Sequence, residues 1–115
     1  MPEPHDPLFF SSPAEFRRWL ARHHAAAGEL WVGYWKKGTG IASLTWQESV
    51  DEALCYGWID GTQKSVDAER YALRFSPRRP KSNWTDTNKE RARRLIAEGK
   101  MTEAGLATLP PELKV

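Results

Sequence analysis

Three stretches of the chain place apolar residues at helical spacing. In the first, Phe16 and Leu20 share one face while arginines occupy the other, which is the pattern of an amphipathic helix. Ser12 and Glu15 have the spacing of a capping box, and Gly28 is the kind of residue that ends a helix. We therefore predict a first helix that starts after Ser12 and ends at Gly28.

The second stretch, residues 44–61, predicts a helix that leads directly into a tight turn. Thr45 and Glu48 form another capping box, and Gly57 suits the left-handed backbone that closes a helix. The residues predicted to face the core are Trp46, Val50, Ala53 and Leu54, and those on the other side are Glu48, Asp51 and Glu52.

A third helix is predicted after a cap at Thr85 or Thr87, and Gly99 ends it. Its inward face consists of Ala92, Leu95 and Ile96. A short last helix is expected at about Thr102 to Ala107.

Strict alternation of side chains marks the predicted strands. Residues 29–37 alternate Leu30, Val32 and Tyr34 against Trp31, Gly33 and Trp35, and residues 70–75 place arginines on one face. Residues 58–61 predict a short strand or turn. Gly33 lies between two tryptophans, so a neighbouring backbone or a ligand could approach it closely.

This order of elements predicts an α+β fold, with a small, mostly antiparallel sheet packed against about four helices. A chain of 115 residues forms one domain, here residues 1–115. We expect residues 1–10 to be a loose N-terminal segment and residues 108–115 a tail.

Composition narrows the class of protein. The chain has a single cysteine, Cys55, so no intrachain disulfide can form. Its first residues lack the basic and apolar regions of a signal peptide, and no stretch has transmembrane length. We expect a cytoplasmic protein that does not insert into a membrane.

The net charge of +2 is unevenly distributed. Residues 41–69 hold six acidic residues and one lysine, a balance of −5, whereas residues 70–100 have a balance of +7. This asymmetry has three possible explanations. The basic segment could bind an anionic partner, the acidic and basic segments could face each other in the fold, or both could be charged surfaces exposed to solvent.

A basic loop is the main candidate site. One arginine guanidinium can bind two oxygens of a phosphate or carboxylate at the same time. The first turn of a helix offers free backbone N–H groups to the same anion. Trp84 adds a flat surface, and Trp58 and Asp60 follow the turn after the second helix. The predicted ligand-binding residues are Arg74, Arg78, Arg79, Lys81, Ser82, Trp84, Trp58 and Asp60. The alternative is that these arginines pair with Glu48, Asp51, Glu52 or Asp60 and brace the fold.

A small enzyme is an alternative to a binding module. Glu52 and Asp60 could act as a general acid and base, although Asp60 also suits backbone hydrogen bonds in a turn. Cys55 is expected to be a small buried hydrophobic residue. No catalytic residue, cofactor or metal ligand is assigned, and we expect a binding protein rather than an enzyme.

Six tryptophans raise the question of stacking. We expect Trp19, Trp46 and Trp58 to pack in the core, and Trp31, Trp35 and Trp84 to be freer. Aromatic residues interleaved with Lys36, Lys37, Arg78 and Arg79 could stack bases and neutralise phosphates of a single-stranded nucleic acid. No nucleic-acid motif is present, so nucleic acid is not expected, and a protein partner or a homodimer is the alternative.

Five segments resemble the YdeI/OmpD-associated family, also called bacteriocin-protection proteins. They are SPAEFRRWL, ELWVGYWKKGTG, LTWQESVDEALCYGWIDG, RFSPRRPKSNWTDTN and LIAEGKMTEAGL. The resemblance implies a bacterial protein with a role in stress or bacteriocin resistance, and it supplies no catalytic residues.

From the basic loop, we expect a binding module for a small anionic ligand that carries phosphate or carboxylate.

Overall fold

The computed structural model describes residues 6–79 and 83–113. In chain order these residues form β1 (Leu8–Phe9), α1 (Pro13–His23), β2 (Leu30–Trp35), α2 (Trp46–Cys55), β3 (Trp58–Ser65), β4 (Arg70–Pro77), α3 (Asp86–Ala97), α4 (Glu103–Leu106) and a 3-10 helix (Pro111–Leu113). The α+β class is confirmed.

The four strands form one mixed sheet in the order β1-β2-β4-β3. β1 is parallel to β2, and the other two pairs are antiparallel. The sheet is therefore mostly antiparallel, as predicted. In the central β2–β4 pair, Trp31 lies opposite Arg74 and Trp35 lies opposite Arg70.

The two faces of the sheet differ in what covers them. Alternating residues of β2 and β4 pack with side chains of α1 and α2 in the main core, which contains Phe16, Leu20, Val32, Tyr34, Ala53, Leu73 and Phe75. The opposite face carries Trp31, Gly33 and Trp35. A second core joins α2, α3 and the C-terminal residues through Leu54, Cys55, Ala92, Leu95, Leu109 and Leu113.

The N-terminal segment is more ordered than we predicted, because Leu8 and Phe9 pair with Val32 and Gly33. The ring of Phe9 lies over Gly33, at 2.5 Å from the position that a Cβ atom would occupy. A group does approach Gly33 closely, but it is an aromatic side chain and not the backbone or ligand that we expected. A two-residue strand has no periodicity that a sequence could reveal. The expected tail also contributes to packing, since Leu109 and Leu113 are buried.

The first helix ends earlier than predicted, at His23 instead of Gly28. The backbone N–H of His24 still donates to the carbonyl oxygen of Leu20, and the His24 ring lies within hydrogen-bond distance of the same oxygen. These contacts satisfy the helix end without a glycine. At the other end, Ser12 accepts from the Glu15 N–H as expected, but the Glu15 carboxylate accepts from Ser11.

The second helix has the predicted caps. Thr45 and Glu48 form both bonds of the capping box, at 3.1 and 2.9 Å, and Gly57 has a φ of 77°. Trp46, however, is 43% exposed, because the first residue of the helix lies beyond the edge of the core. Glu52 is buried and pairs with Arg17 at 3.0 Å, contrary to the predicted outward position.

The other predictions for the second half of the chain are largely confirmed. Thr85 caps α3, and Gly99 ends it with a φ of 74°. β3 is a full strand of eight residues instead of a short one. Its exposed second half and an irregularity between Asp60 and Gln63 hide the alternation that identifies a strand.

The acidic and basic segments meet between α2 and α3. The carboxylate of Asp51 accepts from Arg91 at 2.7 Å and from Arg94 at 2.8 Å. Part of the charge asymmetry is thus neutralised within the fold. None of the helices in residues 6–79 and 83–113 is long and apolar enough to cross a membrane.

Candidate functional site

Arg78, the centre of the predicted basic loop, is held within the fold. Its guanidinium lies 3.8 Å from the centre of the Trp84 ring, and its Nη1 donates to the carbonyl oxygen of Asn83 at 3.2 Å. The backbone N–H of Arg78 also donates to Gly57. Burial lowers the pKa of Arg78, and the negative charge of Asp60 opposes this effect. Arg78 and Trp84, which we predicted as ligand contacts of one site, form a stacked pair in which Arg78 is only 7% exposed.

Among the other predicted site residues that the structure describes, Arg74 and Trp58 contact side chains elsewhere in the fold. Arg74 lies on β4 and pairs with Glu29 at 2.5 Å, on the side opposite the core residues Leu73 and Phe75. Arg79 is exposed. Trp58 is a core residue that contacts Trp19 edge-on at 5.8 Å. Lys81 and Ser82 lie outside the described residues.

Asp60, one of the predicted site residues, contacts the first residue of α2. Its Oδ2 atom accepts a hydrogen bond of 3.2 Å from the indole N–H of Trp46. Asp60 is therefore neither a turn acceptor nor the partner of Glu52, whose carboxylate pairs with Arg17. The two carboxylates proposed for acid–base chemistry are engaged with different side chains.

Trp46 forms one wall of a cavity of about 730 Å³ between the end of β2 and the start of α2. We call it the Trp35–Trp46 cavity. The lining residues on which the argument depends are Trp35, Lys36, Lys37, Ile41, Trp46 and Tyr71.

The loop at this cavity is held by local hydrogen bonds. Gly38 and Gly40 adopt left-handed backbone, with φ values of 97° and 75°, which glycine adopts without steric cost. The Ser43 hydroxyl accepts from the backbone N–H of Trp35 at 3.1 Å, and the N–H of Lys36 donates to Glu69 at 2.9 Å. These bonds connect the start of the loop to Ser43 and to Glu69, the residue before β4.

The rim of the cavity is positively charged. Lys36 and Lys37 are exposed, and within residues 6–79 and 83–113 neither lysine forms an ion pair. The nearby carboxylate of Glu48 is bonded to the backbone of Thr45. Burial raises the pKa of Tyr71 above its ordinary value.

The hydrophobic pattern of the chain does not reveal this cavity, for a definite reason. Trp46 follows the apolar stripe of α2, so the pattern placed it in the core, although it is the N-terminal residue of the helix. The signal that could have found the site is the run from Trp35 to Trp46, in which two lysines and two glycines separate two aromatic residues. Trp31, expected to be freer, is only 7% exposed, whereas Trp35 and Trp84 are partly exposed.

A family model described as a domain of unknown function, DUF8412, matches residues 8–108. The chain belongs to this family. No curated protein and no solved structure matches the chain. The DUF8412 match spans the whole sheet, α1 to α4 and the Trp35–Trp46 cavity. It provides no link to the YdeI/OmpD-associated family, so that resemblance stays a prediction.

Proposed function

We propose that this DUF8412 domain is a binding module for a small anionic ligand that carries phosphate or carboxylate groups, and that the ligand binds in the Trp35–Trp46 cavity. The observation that supports this most directly is the pair Lys36 and Lys37. Both side chains are exposed at the rim of a concave, aromatic-lined surface, and neither forms an ion pair with a described residue.

Lysine suits this role chemically. An ammonium group offers three N–H donors and a full positive charge to phosphate or carboxylate oxygens. Several arginines near the sheet and on α3 already have carboxylate partners. Arg70 pairs with Asp67, Arg74 pairs with Glu29, and Arg91 and Arg94 share Asp51. The charges of Lys36 and Lys37 are therefore available to a ligand, whereas these arginines would first have to leave a partner.

The basic loop remains a second location for the same function. Arg78 is stacked on Trp84, and Arg79 is exposed beside it. An anion bound there would contact Arg79 and the start of α3. The role of the chain in stress or bacteriocin resistance rests on the family resemblance alone and stays a prediction.

Isothermal titration calorimetry with inorganic pyrophosphate and citrate tests the proposal. We expect binding by the unmodified protein and a loss of about tenfold in affinity for each of Lys36→Ala and Lys37→Ala, because a hydrogen bond to a charged group is worth about 1.5–3 kcal/mol. Lys100→Ala is the matched control, since it removes the same charge from an exposed lysine outside the cavity. Equal losses in all three variants, or a loss only in Arg79→Ala, would contradict this site.

A protein-interaction module is the second candidate, and one observation favours it. Ile41 is 48% exposed and Trp46 is 43% exposed at the same cavity, and exposed apolar side chains that lie together mark contact surfaces. Sedimentation equilibrium tests whether a second copy covers them. A concentration-dependent dimer that Ile41→Lys abolishes, together with no binding of pyrophosphate or citrate, would establish this candidate in place of the first.

A further inference from the structure

We propose that the ligand of the Trp35–Trp46 cavity is a nucleotide, in which a sugar joins a flat heteroaromatic base to phosphate. This inference rests on the proposed function, because it names the ligand class for the same cavity. It adds a second binding element, the aromatic rings, to the two lysines.

The orientation of Trp46 is the first argument. An exposed side chain is normally free to change its rotamer. Trp46 is 43% exposed, but its indole N–H is bonded to Asp60, which holds the ring in one orientation. The backbone beneath it is also fixed, because Trp46 directly follows the capping residue Thr45. Trp46 therefore offers a large flat surface in a preset orientation, which is what a stacking platform requires.

The other rings of the cavity are supported from behind. Tyr71 is stacked on Tyr34, with ring centres 4.9 Å apart and planes at 13°. The Tyr34 hydroxyl is in turn bonded to Ser49 at 2.7 Å within the core. Trp35 has the guanidinium of Arg70 over its ring at 5.3 Å. Tyr71 and Trp35 are thus supported by packing, and Trp46 beside them is held by its bond to Asp60 while 43% of it stays exposed.

Size and charge fit the two ends of a nucleotide. A volume of about 730 Å³ lies within the range of roughly 300–1,000 Å³ that is typical of small-molecule sites. The aromatic wall can stack a base, and stacking depends little on which base is present. Lys36 and Lys37 can neutralise the phosphate. No atom lies within 4 Å of where a Cβ would stand on Gly38 or Gly40, so the loop leaves space for the sugar between the two ends.

Calorimetric titrations with AMP, ribose 5-phosphate and adenosine separate the contributions of the ring and the phosphate. We expect AMP to bind at least about tenfold more tightly than ribose 5-phosphate. Stacking of a base on an aromatic side chain contributes enough free energy for a difference of this size. Trp46→Leu should remove most of this advantage and leave the affinity for ribose 5-phosphate unchanged. Trp46→Phe keeps a flat ring but loses the bond to Asp60 that orients it, so it should retain only part of the advantage.

The variants are expected to fold, because Trp46 is an exposed residue at the end of a helix, and circular dichroism melts check this. Equal affinities for AMP and ribose 5-phosphate would overturn the nucleotide inference while leaving the anion-binding proposal intact. No binding of AMP, ribose 5-phosphate, pyrophosphate or citrate would overturn both. A short oligoadenylate that binds more tightly than AMP would assign the nucleotide to a single strand, and weaker binding would assign it to a free mononucleotide.

Discussion

The indole N–H of Trp46 donates a hydrogen bond of 3.2 Å to the carboxylate of Asp60. This bond joins the first residue of α2 to β3, and it sets the orientation of the ring that forms one wall of the Trp35–Trp46 cavity. The carboxylate of Asp60 also acts electrostatically on Arg78. Asp60 therefore interacts both with the ring that lines the cavity and with the arginine of the Arg78–Trp84 stack.

Removal of this bond should lower stability modestly. We expect Asp60→Ala to reduce the free energy of unfolding by about 1 kcal/mol, the usual net value of one hydrogen bond. Trp46→Phe should cost a similar amount, and the double variant should cost less than the sum of the two. Urea denaturation measures all three.

Asp60→Asn is the control for this prediction, because an amide oxygen can still accept from the indole N–H. It should be less destabilising than Asp60→Ala. Equal losses in the two variants would show that the charge of Asp60, acting on Arg78, matters more than the hydrogen bond.

The contact between Phe9 and Gly33 predicts a strong coupling between two positions. A methyl group on Gly33 would overlap the Phe9 ring, and overpacking of this kind costs roughly 1–3 kcal/mol. We expect Gly33→Ala to be destabilising in the natural chain and nearly neutral when Phe9→Ala is also present. A double-mutant cycle from denaturant melts measures the coupling. An equal cost of Gly33→Ala in both backgrounds would mean that the strand itself requires glycine.

Two glycines that end helices form a matched pair for a test of packing. Gly57 and Gly99 have almost the same φ, 77° and 74°, but a Cβ on Gly57 would lie 2.8 Å from the carbonyl oxygen of Ala104, and one on Gly99 would meet nothing. Gly99→Ala should cost about 1–2 kcal/mol, the left-handed penalty alone. Gly57→Ala should cost at least about 1 kcal/mol more, because α4 blocks the added methyl group. Thermal melts that show equal losses would exclude this contact as a constraint.

Cys55 predicts a pH dependence of stability. Burial raises the pKa of its thiol, and the guanidinium of Arg17 opposes this effect without cancelling it. In the unfolded chain the thiol ionises near its ordinary pKa of about 8.5. The unfolded state therefore loses the proton first as the pH rises, so the free energy of unfolding falls above about pH 8.5.

The measurement is a series of urea melts from pH 7.5 to 9.5 for the natural chain and for Cys55→Ala. We expect a shallower decline in stability with pH in the variant, whatever its absolute stability. The same slope in both proteins would show that other groups cause the decline.

The sequence predicted most of the fold because most of its elements carry local signals. The capping box of Thr45 and Glu48, the glycine after α2 and the alternation of β2 all depend on residues within a few positions of one another. β1 and the second half of β3 were missed since their strands are defined by pairing with β2 and β4. Pairing is a long-range property that a short or exposed strand does not reveal.

The candidate site was harder to predict for the same reason. Arg78 and Trp84 could be assigned to one loop from the sequence, because only six positions separate them. It could not show that Arg74 would find Glu29, which is 45 positions away, or that Trp46 would reach Asp60. The Trp35–Trp46 cavity combines a strand end, a loop and a helix start, so it exists only after the chain has folded.

The most direct test of the central claim uses the six tryptophan indole N–H signals in a proton–nitrogen NMR spectrum. Trp→Phe variants assign them, and inorganic pyrophosphate is then titrated into the natural chain. We predict that the signals of Trp35 and Trp46 shift with saturation, while those of the half-buried Trp19 and the buried Trp58 stay in place. A shift confined to Trp84 would place the anion at the basic loop, and no shift at Trp35 or Trp46 would contradict binding in the cavity.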